Sequence, residues 1–137
     1  MKKIEKKVHI NAPTSKVWEV LTNPEYIEQW MMMPTDFKAE EGNNFTFEGE
    51  MDGNKFPISC TLKEIDVNKK LVFSWKMPNF EGDTKVSIEL DGNGETDVTL
   101  VHTGWENLGE NQDMMIEGHN AGWDQRFVEK LKEVAEK

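Results

Sequence analysis

Cysteine is almost missing from this sequence. Cys60 stands alone, so no disulfide can form within the chain, and the composition suits a reducing interior. Arginine is as scarce: Arg126 is the only one, and 26 acidic residues against 16 basic ones give a formal net charge of −10. Nucleic-acid binding needs a basic surface to neutralise phosphates, and the small cluster Lys2, Lys3, Lys6 and Lys7 does not make one. Anionic membrane surfaces are disfavoured by the same sign of charge. Long apolar runs are lacking too. No stretch approaches the roughly 20 residues that cross a bilayer, and "MKKIEKKVHI" has no apolar core of a signal peptide. With no repeat, low-complexity tract or linker, the expectation is one domain, 1–137, in the cytoplasm, with no nucleic-acid partner and no membrane insertion.

What is present is bulk. Five tryptophans, seven phenylalanines and eight methionines carry much of the 36% hydrophobic content, so a few large side chains do most of the packing. The segment "EQWMMMPTDF" (28–37) concentrates this, with Trp30 followed by Met31, Met32 and Met33 and stopped by Pro34. Four such residues in a row cannot all face one core, whether they fan out on a helix or alternate on a strand. Trp30 reads as a buried anchor with one methionine beside it. The other methionines read as an adaptable rim of a cavity, with a hydrophobic dimer contact as the rival.

The periodicity divides the chain. "IEKKVHI" reads as a first strand, and "NAPTSKVWEVLTNPEYIEQW" as two helices broken at "TNPE". From 36 to 105 the period is two. Phe45 and Phe47; Phe56, Ile58, Cys60 and Leu62; Leu71, Phe73, Trp75 and Met77; Val86, Ile88 and Leu90; and Val98, Leu100 and His102 each share a face. The turn signals "EEGNN", "MDGNK", "DVNKK", "NFEGD" and "DGNGE" join them as an antiparallel meander. The last third reads as one helix from about 111 to 136, with a stripe stepping by four: Met115, His119, Trp123, Phe127 and Leu131. Gly118 and Gly122 lie inside it, each costing about 1 kcal/mol relative to alanine, which points to a close approach. A long amphipathic helix laid across the apolar face of a curved sheet makes an α+β fold with room for a cavity.

"INAPTSKVWEVLTNPEYIEQW", "LVFSW", "VTLVHTGW" and "GHNAGWDQRFVEKL" resemble the activator of Hsp90 ATPase homologue 1-like family of the START-like (SRPBCC, Bet v 1-like) superfamily, nearly end to end. The resemblance implies a helix-grip fold, a curved antiparallel sheet gripping the C-terminal helix around a hydrophobic cavity. It also implies binding of lipids, sterols, polyketides or other hydrophobic molecules, with catalysis in some members. Two departures are visible. Eukaryotic Hsp90 activators join such a domain to a separate N-terminal one, whereas this sequence starts at the first strand. Where many relatives carry a paired glycine, "EGNNF" stands here.

The candidate cavity lining is Trp30, Met31, Met33, Phe45, Phe47, Phe56, Cys60, Phe73, Trp75, Met77, His102, Met115, His119 and Trp123. Large apolar walls with few polar groups are typical of small-molecule pockets, and equally of a filled core. His102 and His119, facing each other, would orient a ligand or move a proton; the plainer reading of His102 is a core histidine with its hydrogen bonds made. Two inward histidines fall short of the three or four ligands of a zinc site, so no metal and no cofactor is implied. Cys60 lacks any feature that would lower its pKa. Arg126 offers a fork for a ligand carboxylate, or pairs on the surface with Glu129. Glu64 and Glu117 are the only carboxylates to weigh as acids or bases. The function expected is binding of a hydrophobic aromatic or lipid-like molecule by a monomer or weak homodimer. The alternatives are an Hsp90-type co-chaperone or stress-response interaction module, and a histidine-dependent enzyme; no catalytic residue is assigned.

Overall fold

The computed structural model describes residues 2–78 and 80–137. The chain runs β1 (Ile4–Ile10), α1 (Thr14–Thr22), α2 (Pro24–Met31), β2 (Asn44–Met51), β3 (Asn54–Asp66), β4 (Lys70–Trp75), β5 (Thr84–Gly92) and β6 (Thr96–Thr103). A 3-10 helix (Trp105–Asn111), α3 (Gln112–Trp123), a π-helical stretch (Asp124–Leu131) and α4 (Lys132–Ala135) follow. The strands form one antiparallel sheet in the order β1-β6-β5-β4-β3-β2. β2 to β6 are a meander, and β1 closes the far edge beside β6. The fold is the α+β helix grip expected from the alternation. Of the turn expected at 79–83, Asn79 lies outside the described residues.

The pleat sorts the side chains as the period-two pattern requires. Phe45, Phe47, Ile58, Cys60, Leu62, Leu71, Phe73, Trp75, Val86, Ile88, Val98, Leu100 and His102 are all buried on one face. Asp52 and Gly53, both at positive φ, make the two-residue β2–β3 turn, a conformation that glycine takes without steric cost. The free edge of β2 is covered by the segment after α2, where Thr35 bridges Phe47 and Glu48 N–H donates to the Pro34 carbonyl at 3.0 Å.

The C-terminal helix is continuous but not uniformly α. The joints at Trp123, Asp124, Leu131 and Lys132 are all right-handed helical, and the turn between them is wound in π register. The stripe accounts for it. A step of four overshoots a 3.6-residue turn by about 40°, so an α-helix would carry the stripe off the sheet within a few steps. The wider π turn brings it back, leaving Trp123, Phe127 and Leu131 all buried.

α2 begins with Asn23 accepting from the Glu25 N–H at 3.0 Å and Pro24 at its first position. It ends at Met32, which sits in the left-handed region at φ 58° and ψ 35°. That reversal corrects the expected rim. Met31 is 1% exposed and Met33 6%, so two methionines, not one, join Trp30 in the core, and Met32 alone faces out at 41%. The chain turns back at Met32, so Met31 at the end of α2 and Met33 beyond it both face inward. A left-handed residue with a side chain costs about 1–2 kcal/mol. Met32→Gly is therefore expected to raise stability by about 0.5–1 kcal/mol, after the entropy glycine adds to the unfolded chain. Urea unfolding midpoints check it; a loss of stability would show instead that the Met32 side chain holds α2 down.

Candidate functional site

Under the C-terminal helix the interior is an aromatic and imidazole cluster in which every ring nitrogen has a partner. Trp123 Nε1–H donates to His102 Nδ1 at 3.0 Å, so Nδ1 is the unprotonated nitrogen. His102 Nε2 then carries the proton and donates to Thr84 Oγ1 at 2.6 Å, and the Thr84 hydroxyl donates on to the Trp75 carbonyl at 3.0 Å. Trp75 Nε1–H donates to His119 Nε2 at 3.1 Å, which leaves His119 Nδ1–H to donate to the Met115 carbonyl at 2.8 Å. Trp105 Nε1–H closes the set on the His102 carbonyl at 2.9 Å. The His102 and Trp105 rings lie 4.2 Å apart, and Trp75 meets Trp123 at 5.5 Å.

Electrostatics agrees with the geometry. Burial holds His102 well below its ordinary value, with neighbouring His119 pushing the same way. Burial also lowers His119; its bond to the Met115 carbonyl opposes this and the Arg126 charge adds to it. Both imidazoles are neutral. Neither has a free ring nitrogen to orient a ligand, take a proton or hold a metal, so the expected orienting role gives way to that of packed core histidines. Burial, helped by the Asp36 charge, pushes the Cys60 thiol far up, which keeps it an unreactive core residue. Glu64 and Glu117 are exposed.

The cavity expected between sheet and C-terminal helix is occupied by this cluster. An apolar gap lies elsewhere, beneath α1 and α2, where Leu21, Ile27, Trp30, Met31, Phe37, Phe45, Phe47, Leu71, Phe73 and Ile88 surround about 10 Å³. That is space for one water at most, and all ten walls are apolar. The expected lining thus divides. Trp30, Met31, Phe45, Phe47 and Phe73 surround the gap, and Met33 is buried without lining it. Trp75, His102, His119 and Trp123 belong to the cluster. Phe56, Met77 and Met115 are half-buried at the margin, Phe56 folding over Gly49. One aromatic wall joins the two regions: Phe37 to Phe45 at 4.9 Å, Phe45 to Phe73 at 5.7 Å, and Phe47 to Trp75 at 5.7 Å.

Sequence reasoning missed Thr84, Trp105 and Phe37. Thr84 was within reach, because it alternates inward with Val86 and Ile88. Trp105 and Phe37 lie just outside the strands, where no period applies. Arg126 departs from the surface pairing with Glu129: its Nε–H donates to the Met31 carbonyl at 2.8 Å, tying the C-terminal helix to the end of α2.

A family model described as Activator of Hsp90 ATPase homolog 1-like protein matches residues 11–136. A protein from Mesorhizobium loti is 27% identical with a TM-score of 0.80, the match covering 97% of this chain and 96% of that one. A Bacillus halodurans protein is 28% identical with a TM-score of 0.77, covering 99% and 98%. An Hsp90 activator from Plasmodium falciparum shares the fold at 18% identity and a TM-score of 0.74, covering 93% and 91%. No curated protein matches the chain significantly.

The two depressed histidines make stability depend on pH. Above their ordinary value of 6.5 both are neutral folded and unfolded, and their contribution is complete. As pH falls below 6.5 the unfolded chain takes up protons that the folded one refuses, so stability drops, by about 1.4 kcal/mol per pH unit for each proton at the limit. Exposed His9, raised by Asp97 and Glu95, acts in the opposite sense and above 6.5. Urea unfolding between pH 6.5 and 5 is expected to show stability falling as the pH falls, and falling less steeply in His119→Gln. A flat profile would mean that the folded protein protonates the cluster.

Proposed function

The chain belongs to the activator of Hsp90 ATPase homologue 1-like family, and on that footing we propose that it acts as one START-like domain, 1–137, binding an apolar small molecule between α2 and the sheet. The observation that carries this reading is the gap beneath α2, walled by ten apolar side chains with five aromatic rings among them. Apolar burial supplies the affinity, and rings and methionines re-pack at low cost. The closed gap is far smaller than the roughly 300–1,000 Å³ of ordinary ligand sites, so binding requires α2 to lift.

The local chain is built for such a movement. α2 lies between the break at Asn23 and Pro24 and the reversal at Met32, and the stretch from 32 to 43 has neither helix nor strand, only the bridge at Thr35. Trp30, Met31, Phe45, Phe47 and Phe73 form the wall that changes, with Met33 carried beside it. Trp75, His102, His119 and Trp123 form the fixed floor, with Phe56, Met77 and Met115 at its margin and Cys60 in the core. The domain works as a binder in the cytoplasm, monomeric or weakly dimeric, and no catalytic step is assigned to it.

Methyl-labelled methionine NMR tests the reading with decanol and naphthalene as probes. The Met31 and Met33 signals are expected to shift while those of exposed Met51 and Met114 stay put, and the melting temperature to rise. No shift with either probe would end the proposal. The likeness to an Hsp90 activator favours a second reading, a surface that engages a chaperone. It predicts faster ATP hydrolysis by a bacterial-type or eukaryotic Hsp90 on addition of this protein, and an unchanged rate would remove it.

A further inference from the structure

Arg126 is the chain's one guanidinium, and its placement is unusual for a protein with 26 acidic residues. It lies half-buried on the π-helical stretch. Among the described residues it makes no ion pair, and its one hydrogen bond to protein is from Nε–H to the Met31 carbonyl. Asp124, on the same stretch, pairs with Lys6 at 2.8 Å instead. No buried side-chain nitrogen among the described residues lacks a partner, so water reaches the two Nη groups. They present a solvated, unclaimed fork.

Two neighbours give that fork a purpose. A Cβ at residue 122 would stand 2.7 Å from Arg126 Nη1, so the guanidinium rests against the helix only because Gly122 has no side chain. Met31 joins the fork to the gap: its carbonyl accepts from Arg126 and its side chain lines the apolar walls. A cation left without a carboxylate partner, one residue away from an apolar gap, is an arrangement suited to a molecule with a greasy body and a negative head.

Resting on the binding site beneath α2, we propose that its ligand is an amphipathic monocarboxylate, with the apolar body in the gap and the carboxylate held by the two Nη groups of Arg126. One guanidinium matches one negative charge. A phosphate dianion would leave charge unmatched within a protein of net charge −10. The bidentate geometry also separates arginine from lysine, which offers charge without the fork.

Decanoate and decanol, alike in body and different in head, separate this inference from the reading beneath it. Tryptophan fluorescence titrations compare wild type with Arg126→Gln, Arg126→Lys and Gly122→Ala. Decanoate is expected to bind at least tenfold more weakly to Arg126→Gln, and several-fold more weakly to Arg126→Lys, while decanol changes less than twofold. Gly122→Ala displaces only the far end of a flexible side chain and improves helix propensity, so it stays folded. It is expected to weaken decanoate selectively as well, and carries the test if Arg126→Gln fails to fold. Decanoate binding that is equal across the variants, with decanol also bound, overturns the anchor and leaves the apolar site standing. Binding of neither probe to wild type overturns both.

Discussion

Three buried indole N–H groups need three acceptors, and meeting that need organises the half of the molecule under the C-terminal helix. Trp75, Trp105 and Trp123 find them on His119 Nε2, the His102 carbonyl and His102 Nδ1. An indole left without an acceptor in such a place would cost about 1–3 kcal/mol. The solution is cooperative. Trp123 and Trp75 each set the tautomer of a histidine, each histidine passes its remaining proton to threonine or backbone, and the helix is held in the one register that makes all of this possible. The same saturation takes the histidines out of chemistry, since a nitrogen already accepting from Trp123 or Trp75 is not available as a base.

The other half obeys a different rule. Beneath α2 the contacts are ring against ring and ring against methionine, without directional bonds to break, so the packing there changes shape more cheaply than the cluster does. Trp75 sits on both sides of the division, stacked toward Phe47 and hydrogen-bonded toward His119. A rigid hydrogen-bonded floor thus meets a plastic apolar roof at Trp75. Arg126 gives the C-terminal helix a polar link to that roof, through the Met31 carbonyl.

The fold was legible because its signals are local. Alternation at Phe45 and Phe47, at Phe73 and Trp75, and at Leu100 and His102 states which face is buried, whatever the neighbours are. Asn23 and Pro24 mark a helix start, and Asp52 and Gly53 a hairpin. Even the π turn left a trace, in a stripe that steps by four where an α-helix wants 3.6. The site was less legible. The lining residues were drawn as one wall because a face says nothing about depth, and Phe56 at the sheet's end looks the same in a pattern as Phe73 at its centre.

By itself the sequence determined the strands, the helices, the inward face and the large apolar residues that must fill it, since each follows from backbone geometry within a few residues. Only the tertiary structure decided that His102 meets Trp123 and Thr84, that Met31 and Met33 both turn inward, that Arg126 reaches Met31 across 95 positions, and that the space under the C-terminal helix is filled while a gap remains beneath α2. Those outcomes depend on which distant side chains arrive at the same place, and on whether their volumes and hydrogen-bond partners match when they do.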